Sequence, residues 1–110
     1  MAVASVNIVV EQGTDYLDVF TVTNPDGNPM DLTGYTATAK MRKFPTSTTS
    51  TPFTVGIVSA AGQVTVALAN TVTTELDGGR YYYDVIITSG EGTKSKVVDG
   101  MVLVNASESV

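Results

Sequence analysis

The sequence predicts an all-β protein, an immunoglobulin-like antiparallel β-sandwich of about seven to eight strands with one short helical turn. Apolar residues alternate with polar ones at period two from end to end, and no stretch repeats them at three and four residues over two helical turns. Clusters of Gly, Pro, Asn and Asp interrupt this alternation about every 8 to 14 residues. At 110 residues, 43% of them apolar, the chain has the size and composition for one buried core. A single domain over residues 1–104 is expected, followed by a short tail at 105–110.

Val6 to Val10 reads as a first strand, stopped by Glu11-Gln12-Gly13-Thr14. Asp15 to Thr23 reads as a second, with Tyr16, Phe20 and Val22 on one face. Asn24-Pro25-Asp26-Gly27-Asn28-Pro29 then joins proline's fixed φ, glycine's positive φ and the side-chain-to-backbone bonding of Asn and Asp, which makes a reversing turn. From Gly34, Tyr35, Ala37, Ala39 and Met41 alternate with Thr36, Thr38, Lys40 and Arg42, so one face belongs to the core and the other to water. Phe44 to Pro52, rich in Ser and Thr with two prolines, is the most loop-like stretch.

Phe53, Val55 and Ile57 lead to a turn at Ala60-Ala61-Gly62, and Val64, Val66 and Leu68 return from it as the second arm of a hairpin. Asn70 to Leu76 suits one helical turn capped by Asn70, with Val72 and Leu76 on the same side. Asp77-Gly78-Gly79 ends it, and Arg80 to Thr88, dense in tyrosine and β-branched residues, is the strongest strand. Ser89-Gly90-Glu91-Gly92 turns the chain back into Thr93 to Val104, where Val98, Val102 and Val104 point inward and Gly100 marks a bulge or a close backbone approach.

Eleven acids against 6 bases give a net charge of −5, which repels phosphate backbones, so nucleic acid is not an expected partner. With neither histidine nor cysteine, the commonest general base, metal ligand and thiolate nucleophile are all missing. No serine sits in a glycine-flanked elbow and no acidic run has calcium-loop spacing, so neither catalysis, a cofactor nor a metal is expected. Apolar runs fall well short of a membrane span, and the apolar start lacks the basic flank of a signal peptide, so a soluble, unprocessed chain without membrane contact is anticipated. Asn105-Ala106-Ser107 matches a glycosylation sequon, a motif too short to carry weight alone.

Gly79, two residues before Tyr81 at a strand entry, suits a tyrosine corner whose phenol bonds upstream backbone. Tyr83 falls where immunoglobulin domains place their second cysteine and points inward with Val85, while Tyr82 and Asp84 point to the other face. Tyr82 is either a packing residue or an exposed interface anchor. Lys40, Arg42 and Lys43 form the only basic cluster, either a solvated edge that blocks unwanted pairing or a patch that meets an acidic partner subunit. Ile8 and Val9 lie in a candidate edge strand able to extend a neighbour's sheet. The candidate interface is therefore Ile8, Val9, Lys40, Arg42, Lys43 and Tyr82.

Asp31-Leu32-Thr33-Gly34-Tyr35-Thr36-Ala37 followed by Lys40-Met41-Arg42 resembles a recurrent module of tailed phages, the N-terminal domain of baseplate upper proteins and related small virion proteins, those of cyanophages in particular. Gly13-Thr14-Asp15 and Asp26-Gly27-Asn28-Pro29 precede it in the order such modules use, and Leu76, Gly79, Tyr81, Tyr83-Asp84-Val85, Asp99-Gly100 and Val102 follow. The resemblance implies a β-sandwich that binds other virion proteins, in many copies or as a homo-oligomer, after assembly in the host cytoplasm. A tail, baseplate or neck position and capsid decoration both fit it. Larger members continue into receptor-binding parts, whereas a connector or a surface decoration is expected of this chain. The alternative from another class is a carbohydrate-binding sandwich that contacts host glycans.

Overall fold

The computed structural model describes residues 4–24, 26–43 and 50–106. Among them the chain forms β1 (Ala4–Ser5), β2 (Ile8–Glu11), β3 (Tyr16–Thr21), β4 (Thr36–Arg42), β5 (Thr51–Pro52), β6 (Thr54–Val58), β7 (Gln63–Leu68), α1 (Asn70–Thr73), β8 (Gly79–Thr88) and β9 (Lys94–Asn105). The larger sheet runs β1-β9-β8-β4-β5, with β2 also on β9, and the smaller runs β3-β7-β6. β1 and β2 are two pieces of one interrupted strand. The expected immunoglobulin-like sandwich is thus present, with its alternating apolar faces turned toward each other: Val10, Leu32, Met41, Val64, Val66, Val85 and Val102 are each at most 1% exposed.

The first strand departs from the expectation of an antiparallel fold. β1 and β2 run parallel to β9, with Ser5 opposite Asp99 and Ile8 opposite Val102. The interruption lies at Val6–Asn7, where Asn7 Oδ1 accepts the Met101 N–H at 3.1 Å in place of a ladder carbonyl. Gly100 is the close approach foreseen: a Cβ on it would collide with the carbonyl of Val6. The bulge lies elsewhere in β9, between the pairs Val85–Val98 and Ile86–Lys96, so Val97 and Val98 are both buried.

The predicted turn after β3 closes with Gly27 N–H on Asn24 O at 2.9 Å and Asn24 N–H on Asn28 O at 2.8 Å. A second lock follows at Asp31–Tyr35. Asp31 Oδ1 accepts the Thr33 hydroxyl at 2.6 Å and the Thr33 N–H at 2.9 Å, and Tyr35 N–H closes on Leu32 O at 3.0 Å. These Thr33 bonds hold the Asp31 carboxyl below its usual range. Leu32, 1% exposed, is thereby driven into the core just ahead of β4.

Within the expected 44–52 loop, residues 44–49 lie outside the described residues, but Thr51 and Pro52 are strand, opposite Met41 and Lys40. Proline is tolerated there because β5 is the sheet's edge. The chain then crosses to the smaller sheet through Phe53, whose N–H donates to Ala39 O at 2.9 Å. The Phe53 ring meets Tyr83 of the larger sheet edge-on at 6.1 Å and Tyr16 of the smaller at 6.4 Å. This aromatic column ties the layers of a chain with no cysteine.

α1 has a different cap from the one predicted. Asn70 is its first helical residue and its side chain makes no cap bond; Asp15 Oδ1, from the start of β3, accepts the Asn70 N–H at 2.7 Å. The buried side is also shifted. Val72 is 36% exposed, and Thr73, fully enclosed, faces the fold with its hydroxyl donating to Thr14 O at 2.7 Å and accepting from Gly13 N–H at 3.1 Å. Leu76 is buried as expected.

Candidate protein-docking face

The tyrosine-rich strand builds both sides of the candidate site. Tyr81 forms the predicted corner, its hydroxyl donating to Asp77 O at 3.0 Å, and burial raises its pKa, helped by the Asp77 charge. Tyr83 points inward and donates to Val6 O at 2.5 Å, which pins the interruption between β1 and β2. By strand alternation Tyr82 and Asp84 emerge on the opposite, outer face, Tyr82 42% exposed and Asp84 half-buried.

Two cross-strand rows make that face. Lys40, Asp84, Asp99 and Ser5 lie opposite one another across β4, β8, β9 and β1. Arg42, Tyr82 and Met101 form the next row, ended by Asn7. Together they line an open concavity of about 550 Å³. Asp84 and Asp99 sit directly opposite, a like-charge arrangement that is unfavourable alone. Lys96 offsets it from one side, 3.8 Å from Asp84, and the Ser5 hydroxyl from the other, donating to Asp99 at 3.1 Å.

Lys40, Arg42 and Tyr82 are therefore brought together as one surface. Lys43 is exposed just past the end of β4 and does not line the concavity. Val9, 54% exposed, lies one row beyond, beside the 42% exposed Leu103. Ile8 is the correction: it is 6% exposed and belongs to the core, because β2 alternates and Ile8 shares the inward side with Val10. Ser5, Asn7, Asp99 and Met101 complete the surface and were not predicted; only the pairing of β1 and β9, 94 residues apart at Ser5 and Asp99, places them there. Asp84 was legible as Tyr82's neighbour on the outer face.

The free edge adjoins this surface. Val6 N–H donates to Asp99 O at 2.8 Å and Gln12 N–H to Asn105 O at 2.9 Å, so the even-numbered residues turn their backbone groups toward β9. By the same alternation Val9 turns its N–H and C=O away from the sheet, where none of the described strands pairs with it.

No protein-family model matches the sequence, and no curated protein sequence is similar to it. Solved structures do resemble the fold. The internalin-like protein lmo2027 of Listeria monocytogenes aligns over 94% of this chain and 28% of its own length, at 14% identity and a TM-score of 0.48. A variant of the SrpA adhesin of Streptococcus sanguinis aligns over 93% of this chain and 56% of its own, at 10% identity and a TM-score of 0.53. The chain thus spans little more than half of one of these proteins and under a third of the other. With the adhesin it shares a β-sandwich fold, a scaffold that hosts many unrelated functions.

Proposed function

We propose that this protein is a β-sandwich binding module of a tailed-phage particle that docks onto other virion proteins through the outer face of its larger sheet and the adjoining edge of β2. The observation that carries the reading is the juxtaposition of Val9's backbone edge, unpaired among the described strands, with a concave surface holding Lys40, Arg42 and Tyr82. An added partner strand would bond Val9's main chain while partner side chains enter the concavity, main-chain bonds supplying affinity and side chains specificity. Support for a virion context comes from the ordered motifs between Gly13 and Val102. Tail, baseplate, neck and shell positions all accommodate such a module.

Val9→Pro is the direct test, because it removes an edge-facing N–H and leaves the β2–β9 ladder intact. Reduced incorporation into particles, with the isolated domain still folded, is the expected result. Incorporation at full occupancy would eliminate strand addition. Copy counting in labelled particles separates shell from tail, hundreds of copies indicating the shell.

One observation favours a second reading, a glycan-binding module. The exposed Tyr82 ring stands in a concavity with the hydrogen-bonding groups of Asn7, Asp84 and Asp99, an arrangement that suits a sugar. A glycan array without binders would close it.

A further inference from the structure

The charges lining the concavity are not equally available. Asp84 is 3.8 Å from Lys96, and Asp99 accepts the Ser5 hydroxyl at 3.1 Å. Lys40, across the ladder from Asp84, and Arg42, across from Tyr82, make no ion pair within 4.0 Å among the described residues. Arg42 also carries the one enclosed side-chain polar atom without a hydrogen-bond partner among the described residues, its Nε. A guanidinium with an unmet donor stands beside the exposed Tyr82 ring and one row from Lys40, and the three cations lining the concavity, Lys40, Arg42 and Lys96, outnumber its two carboxylates, Asp84 and Asp99, a local positive excess on a molecule of net charge −5.

From this arrangement we infer that the groove receives an acidic peptide segment of a partner, with a glutamate or aspartate carboxylate on Arg42 and a second on Lys40. A carboxylate beside Tyr82 would accept from Nε and one Nη once the guanidinium turns that edge outward, the two-pronged geometry arginine makes with carboxylates. The remainder of the segment lies over Tyr82 and Met101 toward Asn7. A concave face does not fit the same concave face of a second copy, whereas an extended segment or a protruding loop fills it. The inference rests on the docking face proposed above and adds the chemistry of what it accepts.

The test titrates the full chain with a short glutamate-rich peptide and with its glutamine counterpart, followed by fluorescence anisotropy and amide chemical shifts at low and high salt. The glutamate peptide should bind about tenfold tighter or more, as charge-assisted bonds require, and should weaken with salt. Shifts should centre on Tyr82, Met101 and Asn7. Arg42→Gln and Lys40→Gln should each reduce the affinity several-fold, and Lys94→Gln, at the far end of the sheet, should not. Equal affinity for the two peptides at these residues would overturn the acidic specificity and leave the docking face standing. Equal damage from Lys94→Gln, or shifts spread over the molecule, would reduce the effect to general charge attraction and overturn the inference. Citrate reproducing the full response would overturn it in favour of a small-anion site.

Discussion

Tyr83 and Val6 are joined by a hydrogen bond of 2.5 Å between the phenol and a main-chain carbonyl 77 residues earlier in the chain. The bond fastens the edge strand where its own ladder fails. Three contacts share the job: Val6 N–H on Asp99 O, Met101 N–H on Asn7 Oδ1, and the phenol on Val6 O. The edge beside the docking face is therefore held by a core residue.

Tyr83→Phe keeps the ring, its edge-on contact with Phe53 and its burial, and removes only the hydroxyl. Stability should fall by about 1 kcal/mol, the usual net value of one such bond. Urea denaturation measures this loss, and hydrogen exchange at Val6, Ile8 and Met101, whose N–H groups face the β9 junction, should accelerate more than exchange in the smaller sheet.

Alkaline pH should weaken the fold through the same group. Burial, with the Asp18 and Asp99 charges behind it, pushes the Tyr83 phenol up to about 12 from an ordinary value of 10. Tyr16 is raised in the same direction by burial and by Asp18, which accepts its hydroxyl at 3.3 Å. Between those values the folded state holds protons that the unfolded chain has released, so stability is complete below pH 10 and declines as the pH rises toward 12. Denaturation midpoints across that window should fall more steeply in the parent than in Tyr83→Phe.

Gly100→Ala would drive a Cβ into the carbonyl of Val6. Since both sides of the clash are backbone, β1 must move off β9, and the loss should exceed that of Tyr83→Phe, at about 2 kcal/mol or more. Thermal melting gives the magnitude. Amide shifts should place the disturbance at residues 4–9.

The cap of α1 supplies a paired test. Asp15→Ala removes the acceptor of the Asn70 N–H and should cost about 1 kcal/mol, whereas Asn70→Ala, whose side chain makes no cap bond, should be near neutral. Calorimetry of the two variants decides it, and the reverse order would restore Asn70 as the cap.

Local signals were sufficient wherever a residue's role depends on its neighbours in sequence. The alternation of Ala39 and Met41 with Lys40 and Arg42, the turn at Asn24–Pro29, the hairpin about Gly62 and the corner at Tyr81 all follow from strand period, glycine φ and short-range bonding. The motif residues Asp31, Leu32, Thr33 and Gly34 belong with them, since their bonds close a turn and bury one leucine.

Contacts between segments far apart in sequence set the rest. A short apolar run such as Val6 to Val10 has no strict alternation to show which side chains turn inward, so Ile8's place in the core and the parallel pairing emerge only against β9. Asp15 displaces Asn70 as the cap because folding brings the start of β3 onto a helix 55 residues away. Period two could put Tyr82 on the outer face, but the row that joins it to Arg42, Met101 and Asn7 is a matter of register, and register is an energy balance of the whole sandwich rather than of any one strand.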